Sequence, residues 1–248
     1  MKKLILRCDD YGCATGANEA YLRLADTGIK FNASILICGP TSKENLDILA
    51  RHAPHIGLGI HTAINAEWDK VKWGPVGDLK QAKECGLADA NGHFHLDTEK
   101  LRAIPAEVIL DEIRAQIERA LSWSVPFSYV DEHMGYTWMH NLREPLAALA
   151  KEHGLIYRPE LPGPKSGKTD EGLIANWRLG LKTMDNQPHL MVTHPVIDDD
   201  STRALYMAPD GPGSISRDRQ AEFDALSSAE WRETLAQEEI ELITYRDL

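Results

Sequence analysis

Short apolar runs alternate with helix-like segments along most of this chain, and that rhythm restricts its fold more than any other feature. The runs are LILRC at 4–8, SILIC at 34–38, IGLGI at 56–60, FSYVD at 127–131, LIYR at 155–158, HLMVT at 189–193 and ELITY at 241–245. They read as strands. Between the early ones lie "GANEAYLRLADTG" and "SKENLDILARH", the second opening with Ser42 as an N-cap and stopping before Pro54. Residues 104–123 carry the clearest helical pattern: Pro105 suits the first turn, and Ile109, Ile113, Ile117 and Leu121 recur every four positions. "REPLAALAKEHG" ends at Gly154, a helix-terminating glycine. Strand and helix in this order call for parallel strands joined by crossovers. About seven strands predict an α/β fold, an irregular or incomplete (β/α) TIM-like barrel, with a doubly wound open sheet as the alternative. No linker, repeat or low-complexity tract divides the pattern, so a single domain over 1–248 is expected.

Composition narrows the partners. The formal net charge is −11 and no basic stripe is visible, which argues against nucleic acid, since phosphate-backbone binding needs clustered Lys and Arg. "MKKLILRCDD" has too short an apolar core for a signal peptide, and no run approaches the roughly 18 apolar residues of a membrane helix. A cytoplasmic chain without a membrane partner is expected. Cys8, Cys13, Cys38 and Cys85 show no CxxC spacing and read as free thiols. The oligomeric state is not fixed, and a homodimer is left open.

Three irregular stretches, roughly 62–100, 159–188 and 198–218, each follow a predicted strand, where a barrel builds its active-site mouth. The first holds Trp68 and Trp73, which either stack on a sugar ring or pack the loop itself. "GPKSGKT" at 163–169 imitates a phosphate-binding loop but has only three residues between its glycines, and no apolar helix is expected after Thr169. It reads as a solvated loop.

The carboxyl ends of the runs are where the chemistry gathers. LILRC leads into Asp9 and Asp10, IGLGI into His61, FSYV into Asp131 and His133, and HLMVT into His194. Parallel strands share one C-terminal rim, so these side chains should converge there. The other imidazoles (His52, His55, His93, His95, His140, His153 and His189) sit in helices, loops or strand starts, where surface placement is expected, with a place near the mouth left open for His95 and His140. Two imidazoles and a carboxylate suit a catalytic divalent cation with positions left open for water and substrate. Such an ion lowers the pKa of a bound water towards roughly 7 and relieves the repulsion of the paired aspartates. One aspartate then binds the ion while the other takes a proton.

"CDDYG", "GLGIHTAIN", "LADANGHFH", "VDEHMGY", "LMVTHP" and "RQAEFDALSS", in this order, resemble the YdjC-like family of carbohydrate deacetylases, which includes chitooligosaccharide deacetylases. The resemblance implies an irregular (β/α) barrel that removes N-acetyl groups from small amino sugars. By position it implies Asp10, His61 and His133 as metal ligands, Asp9 as general base and His194 as general acid. It also implies that Asp131 supports the ligands and that Arg219 supports Asp9 or holds substrate. Cys8 replaces the usual small polar residue, Tyr11 the usual Phe, Gly135 a frequent second histidine and Val196 a common glycine. These departures bear on which sugar is bound. Zinc suits the ligand set, while magnesium, cobalt, nickel, manganese and iron stay open. Another metal-dependent amidohydrolase, a phosphoesterase, or a non-catalytic carbohydrate-binding relative are the alternatives. Few basic residues flank the ligands in sequence, which weakens the phosphoesterase.

Overall fold

The computed structural model describes residues 1–165 and 167–248; Ser166, inside the 163–169 stretch read above as a solvated loop, lies outside the described residues. The strands are β1 (Lys2–Tyr11), β2 (Asn32–Leu36), β3 (Gly57–Thr62), β4 (Tyr129–Glu132), β5 (His189–Thr193) and β6 (Ile240–Ile243). The helices are α1 (Thr15–Asp26), α2 (Leu46–Ala50), α3 (Leu79–Glu84), α4 (Ala106–Leu121), α5 (Arg143–Glu152), α6 (Leu173–Lys182), α7 (Ser214–Ser227) and α8 (Ala229–Gln237). Among the described residues the sheet is parallel throughout, in the order β4-β3-β2-β1-β5, with β6 also paired to β1. Leu4 pairs with His189 of β5 and with Leu242 of β6, whereas Arg7 and Cys8 pair with Asn32 and Ala33 of β2. β6 and β2 therefore share one flank of β1 end to end. Asn32 joins the splice: its amide donates to Leu6 O (3.2 Å) and Ile243 O (3.1 Å), and its Oδ1 accepts from Tyr245 N (3.0 Å).

The result is a curled, incomplete (β/α) barrel, open between β4 and β5. A strand expected at 155–158 fills this gap only in part: Ile156 makes a single bridge to Tyr129, and Leu190 N donates to Pro162 O (2.9 Å). Pro159, Pro162 and Pro164 lack the N–H that a continuous ladder needs. Other expectations shift for equally local reasons. Ser42 caps no helix, because its hydroxyl donates to Ile37 O (3.3 Å) and Gly39 O (3.0 Å) and α2 begins only at Leu46. The stretch 159–188 holds α6, whose Ile174, Trp177 and Leu181 face the core at helical spacing. His189, expected at the surface, is buried at the start of β5. Among the described residues no helix is long and apolar enough to cross a membrane.

Two features place the rim. Gln116 of α4 clasps the segment after β3 by accepting from Ala63 N (2.9 Å) and donating to Ala63 O (2.6 Å). Its neighbour Glu112 accepts from Val76 N and Gly77 N at 2.9 Å each, pinning the long loop against the helix. Inside the sheet, Gly59 of β3 faces Tyr129 of β4, whose ring stacks on Tyr245 with centroids 4.1 Å apart. A Cβ on Gly59 would lie 2.1 Å from Tyr129 Cζ. Gly59→Ala is therefore expected to destabilise the fold by about 1–3 kcal/mol in urea unfolding; a loss under about 0.5 kcal/mol would show that Tyr129 moves aside freely.

Candidate active site

In a regular strand Asp9 and Asp10 would point to opposite faces. The β1–β2 register slips between Cys8 and Tyr11, and Asp10 adopts φ +76°, a left-handed conformation that aspartate tolerates better than most residues. Gly12 then turns the chain at φ +100°, where a Cβ would stand 2.6 Å from Ser42 Cα. β1 thus carries both carboxylates to the rim instead of ending before them.

Asp10, His61 of β3 and His133 just beyond β4 place ligand-type atoms within 4.8 Å of one another, all buried. Asp10 Oδ1 lies 3.2 Å from His133 Nδ1 and 3.5 Å from His61 Nε2. Yet Asp10 Oδ1 and His133 Nε2 have no hydrogen-bond partner among the described residues. A buried carboxylate oxygen and a buried imidazole nitrogen left over in this way are costly unless something else binds them. The other oxygen, Asp10 Oδ2, accepts from Arg219 Nη1 at 3.1 Å. Burial alone would raise the Asp10 carboxyl, but His133, His61 and Arg219 outweigh it and hold it well below the usual range. One buried carboxylate and two buried imidazoles, with an unpartnered polar atom on Asp10 and another on His133, fit a divalent cation.

A second web orients the first. His61 Nδ1 stands 2.9 Å from Asp131 Oδ1, leaving Nε2 for the Asp10 side. Asp131 Oδ2 accepts from Ser34 Oγ (2.8 Å) and forms an ion pair with Arg7, 2.8 Å from its Nε. Arg7 also forks onto Asp9, Nε to Oδ1 and Nη2 to Oδ2, at 2.7 Å each. Burial works against a charged His61, but the carboxylates of Asp131 and Asp9 prevail and raise it to about 10. The carboxylates around His61 thus favour a cation at this place in the site. His194, at the end of β5, lines the same cavity of about 350 Å³ as Asp9, Asp10, His61, Asp131 and His133. Burial lowers its imidazolium below the ordinary value, partly opposed by Asp10. Its backbone N–H donates to Glu222 Oε2 of α7 at 2.5 Å, which fixes the loop that carries it.

Several expectations change here. Arg219 reaches Asp10, whereas Asp9 is held by Arg7, so the support for Asp9 comes from two positions earlier on its own strand. Trp68 and Trp73 are each only 2% exposed, which matches the packing alternative and leaves no ring face for a sugar. Trp73 donates Nε1 to Asn65 O (2.7 Å) and sets its ring edge-on to His133, while the Arg219 guanidinium lies 5.1 Å from the Trp68 ring. They brace the site from behind. Basic groups are not scarce: Arg7, Arg158 and Arg219 all stand at or beside the cavity, each paired to a carboxylate. His95 and His140 do not line it.

Four contributors escaped the sequence reading: Arg7, Ser34, Glu67 and Glu222. Arg7 had a signal, since a charged residue two before Asp9 in an apolar run shares its face. Glu222 had one too, three positions from Arg219 on a helix. Glu67 Oε2 lies 3.8 Å from His133 Nε2, and burial pushes its carboxyl up; nothing in the spacing announced it.

The fold and the site together define an α/β protein, an open (β/α) barrel with a buried Asp/His cluster at its rim. The chain belongs to the YdjC-like protein family, whose model matches residues 3–176. It is similar to carbohydrate deacetylase 1 of Listeria innocua, 25% identical with 99% of this chain and 100% of the relative covered. A carbohydrate deacetylase of Brevibacillus brevis is 24% identical, with 99% of each chain covered. Among solved structures, a cellobiose-phosphate cleavage protein from Enterococcus faecalis superposes with a TM-score of 0.77 at 18% identity, covering 99% of this chain and 98% of that one. A CE4 esterase of Streptococcus mutans gives 0.55 at 11% identity over 98% of this chain and 85% of that one. At these identities the structural likeness speaks for the fold alone.

Proposed function

We propose that this chain is a metal-dependent hydrolase that removes N-acetyl groups from small amino sugars or chitooligosaccharides. The observation that carries the reading is the buried Asp10–His61–His133 set, with two unpartnered polar atoms, opening on a cavity walled by Asp9 and His194. The names of the relatives, carbohydrate deacetylases, support an acetylated carbohydrate as substrate. A divalent ion on Asp10, His61 and His133 would supply Lewis-acid polarisation of the acetyl carbonyl and acidify a water. Asp9 takes a proton from the attacking water as the C–O bond forms. Its carboxylate keeps lone pairs for that proton even with both oxygens bonded to Arg7. His194 delivers a proton to the nitrogen as the C–N bond breaks, releasing acetate and a free amine. Its lowered basicity makes its protonated form a stronger acid than free imidazolium. Asp131 keeps His61 in one tautomer and orientation. The whole chain acts as one domain on this reading, supported by the pairing of β6, near the C-terminus, with β1.

The test is acetate release from N-acetylglucosamine oligomers, run beside phosphate release from a phosphorylated sugar. Acetate without phosphate is expected; phosphate without acetate would replace the reading with the phosphoesterase. His194→Ala is expected to slow acetate release by about a hundredfold or more with the cation retained, the scale of a lost general acid. Unchanged turnover would move the acid role to another group.

A further inference from the structure

A second trio of ligand-type atoms lies beside the first: Asp9, His61 and Asp131 are also within 4.8 Å of one another and buried. Arg219 takes only Oδ2 of Asp10 (3.1 Å) and leaves Oδ1 without a hydrogen-bond partner among the described residues, whereas in this trio one guanidinium lies against both carboxylates. The Arg7 guanidinium, 12% exposed, lies 2.7 Å from Asp9 Oδ1 and 2.8 Å from Asp131 Oδ2, with Nη2 2.7 Å from Asp9 Oδ2. Two buried carboxylates need a positive partner, and either a guanidinium fork or a metal ion could serve.

We propose that Arg7 is the resident cation of this second set. By filling it, Arg7 confines a divalent ion to Asp10, His61 and His133 and leaves Asp9 free of metal to act as the base. His61 is the pivot, with Nε2 3.5 Å from Asp10 and Nδ1 2.9 Å from Asp131. A neutral imidazole offers a lone pair from one nitrogen only, so the ion must choose a side. The guanidinium, always charged and planar, settles that choice at any working pH. Without it, Asp9, His61 and Asp131 form a latent metal site that would consume the base. The inference rests on the reading of Asp10–His61–His133 as the cation site.

The test is Zn²⁺ binding to chelator-stripped protein, read by elemental analysis after desalting and by titration. His133→Ala is expected to weaken binding at least about tenfold. Arg7→Met combined with His133→Ala is expected to regain it, and adding Asp9→Asn to lose it again. Arg7→Lys with His133→Ala, which keeps a charge in place, should bind as weakly as His133→Ala. If Arg7→Met/His133→Ala binds no more Zn²⁺ than His133→Ala, the proposal is overturned while the cation reading stands. Undiminished binding by His133→Ala alone overturns that reading and the proposal with it. Should removal of Arg7 prevent folding in chelator, Zn²⁺ is expected to restore a cooperative melt by taking over the vacated carboxylates. A chain that stays unfolded with Zn²⁺ present contradicts the proposal.

Discussion

Asp9→Asn is expected to bind its cation normally and to lose turnover by about a hundredfold or more, the scale of a missing general base. The amide is isosteric, so the cavity keeps its shape, but it offers no basic oxygen for the water's proton. Part of the change falls on Arg7, whose fork now meets an amide where it bonded two carboxylate oxygens at 2.7 Å. A thermal melt beside the kinetics separates that structural cost from the chemical one. Excess metal should not restore activity, because the ligand set is untouched. Near-normal turnover would return Asp9 to the role of a buried ion-pair partner for Arg7 and nothing more.

Asp10→Asn should fail in the opposite manner. Replacing the anionic member of the set with a neutral amide is expected to lower metal affinity by about a hundredfold or more, at least the loss seen when supporting groups around a metal are removed. Activity should return in part with excess metal, and isothermal titration beside an acetate assay follows both. Arg219 complicates the outcome in a useful direction: its Nη1 donates to Asp10 Oδ2 at 3.1 Å, so the amide variant leaves an unbalanced buried guanidinium that repels the ion further. Identical binding curves for wild type and Asp10→Asn would remove this residue from the cation site. His61→Ala is a less clean probe, because His61 is buried inside β3 and also anchors Asp131.

What the sequence disclosed and what it hid follow from the same physics. The alternating runs announced a parallel sheet, because a period-free apolar strand between helices has few other uses, and the residues at the strand ends announced the rim. The gap between β4 and β5 was hidden, since LIYR has a strand's composition and only the prolines that follow it, counted against ladder donors, show why the pairing stops at one residue. The convergence of Asp9 and Asp10 was legible only as a puzzle. Its solution, a register slip and a left-handed Asp10, is a backbone event that no side-chain pattern encodes. Trp68 and Trp73 were legible only as two alternatives, a sugar platform or packing of the loop itself, and both turn inward to brace Arg219 and His133. Long-range partners such as Ser34 for Asp131 and Glu222 for the His194 backbone depend on register and crossover geometry, which local patterns do not fix.

The central claim is that one divalent ion on Asp10, His61 and His133 drives deacetylation. Its most direct test is a titration of chelator-stripped wild-type protein with Zn²⁺, following acetate release from N-acetylglucosamine oligomers against bound metal. Acetate release should be absent in the stripped chain and should rise in proportion to occupancy, saturating at one ion per chain. Full acetate release from the stripped chain, or release that bears no relation to occupancy, would contradict it.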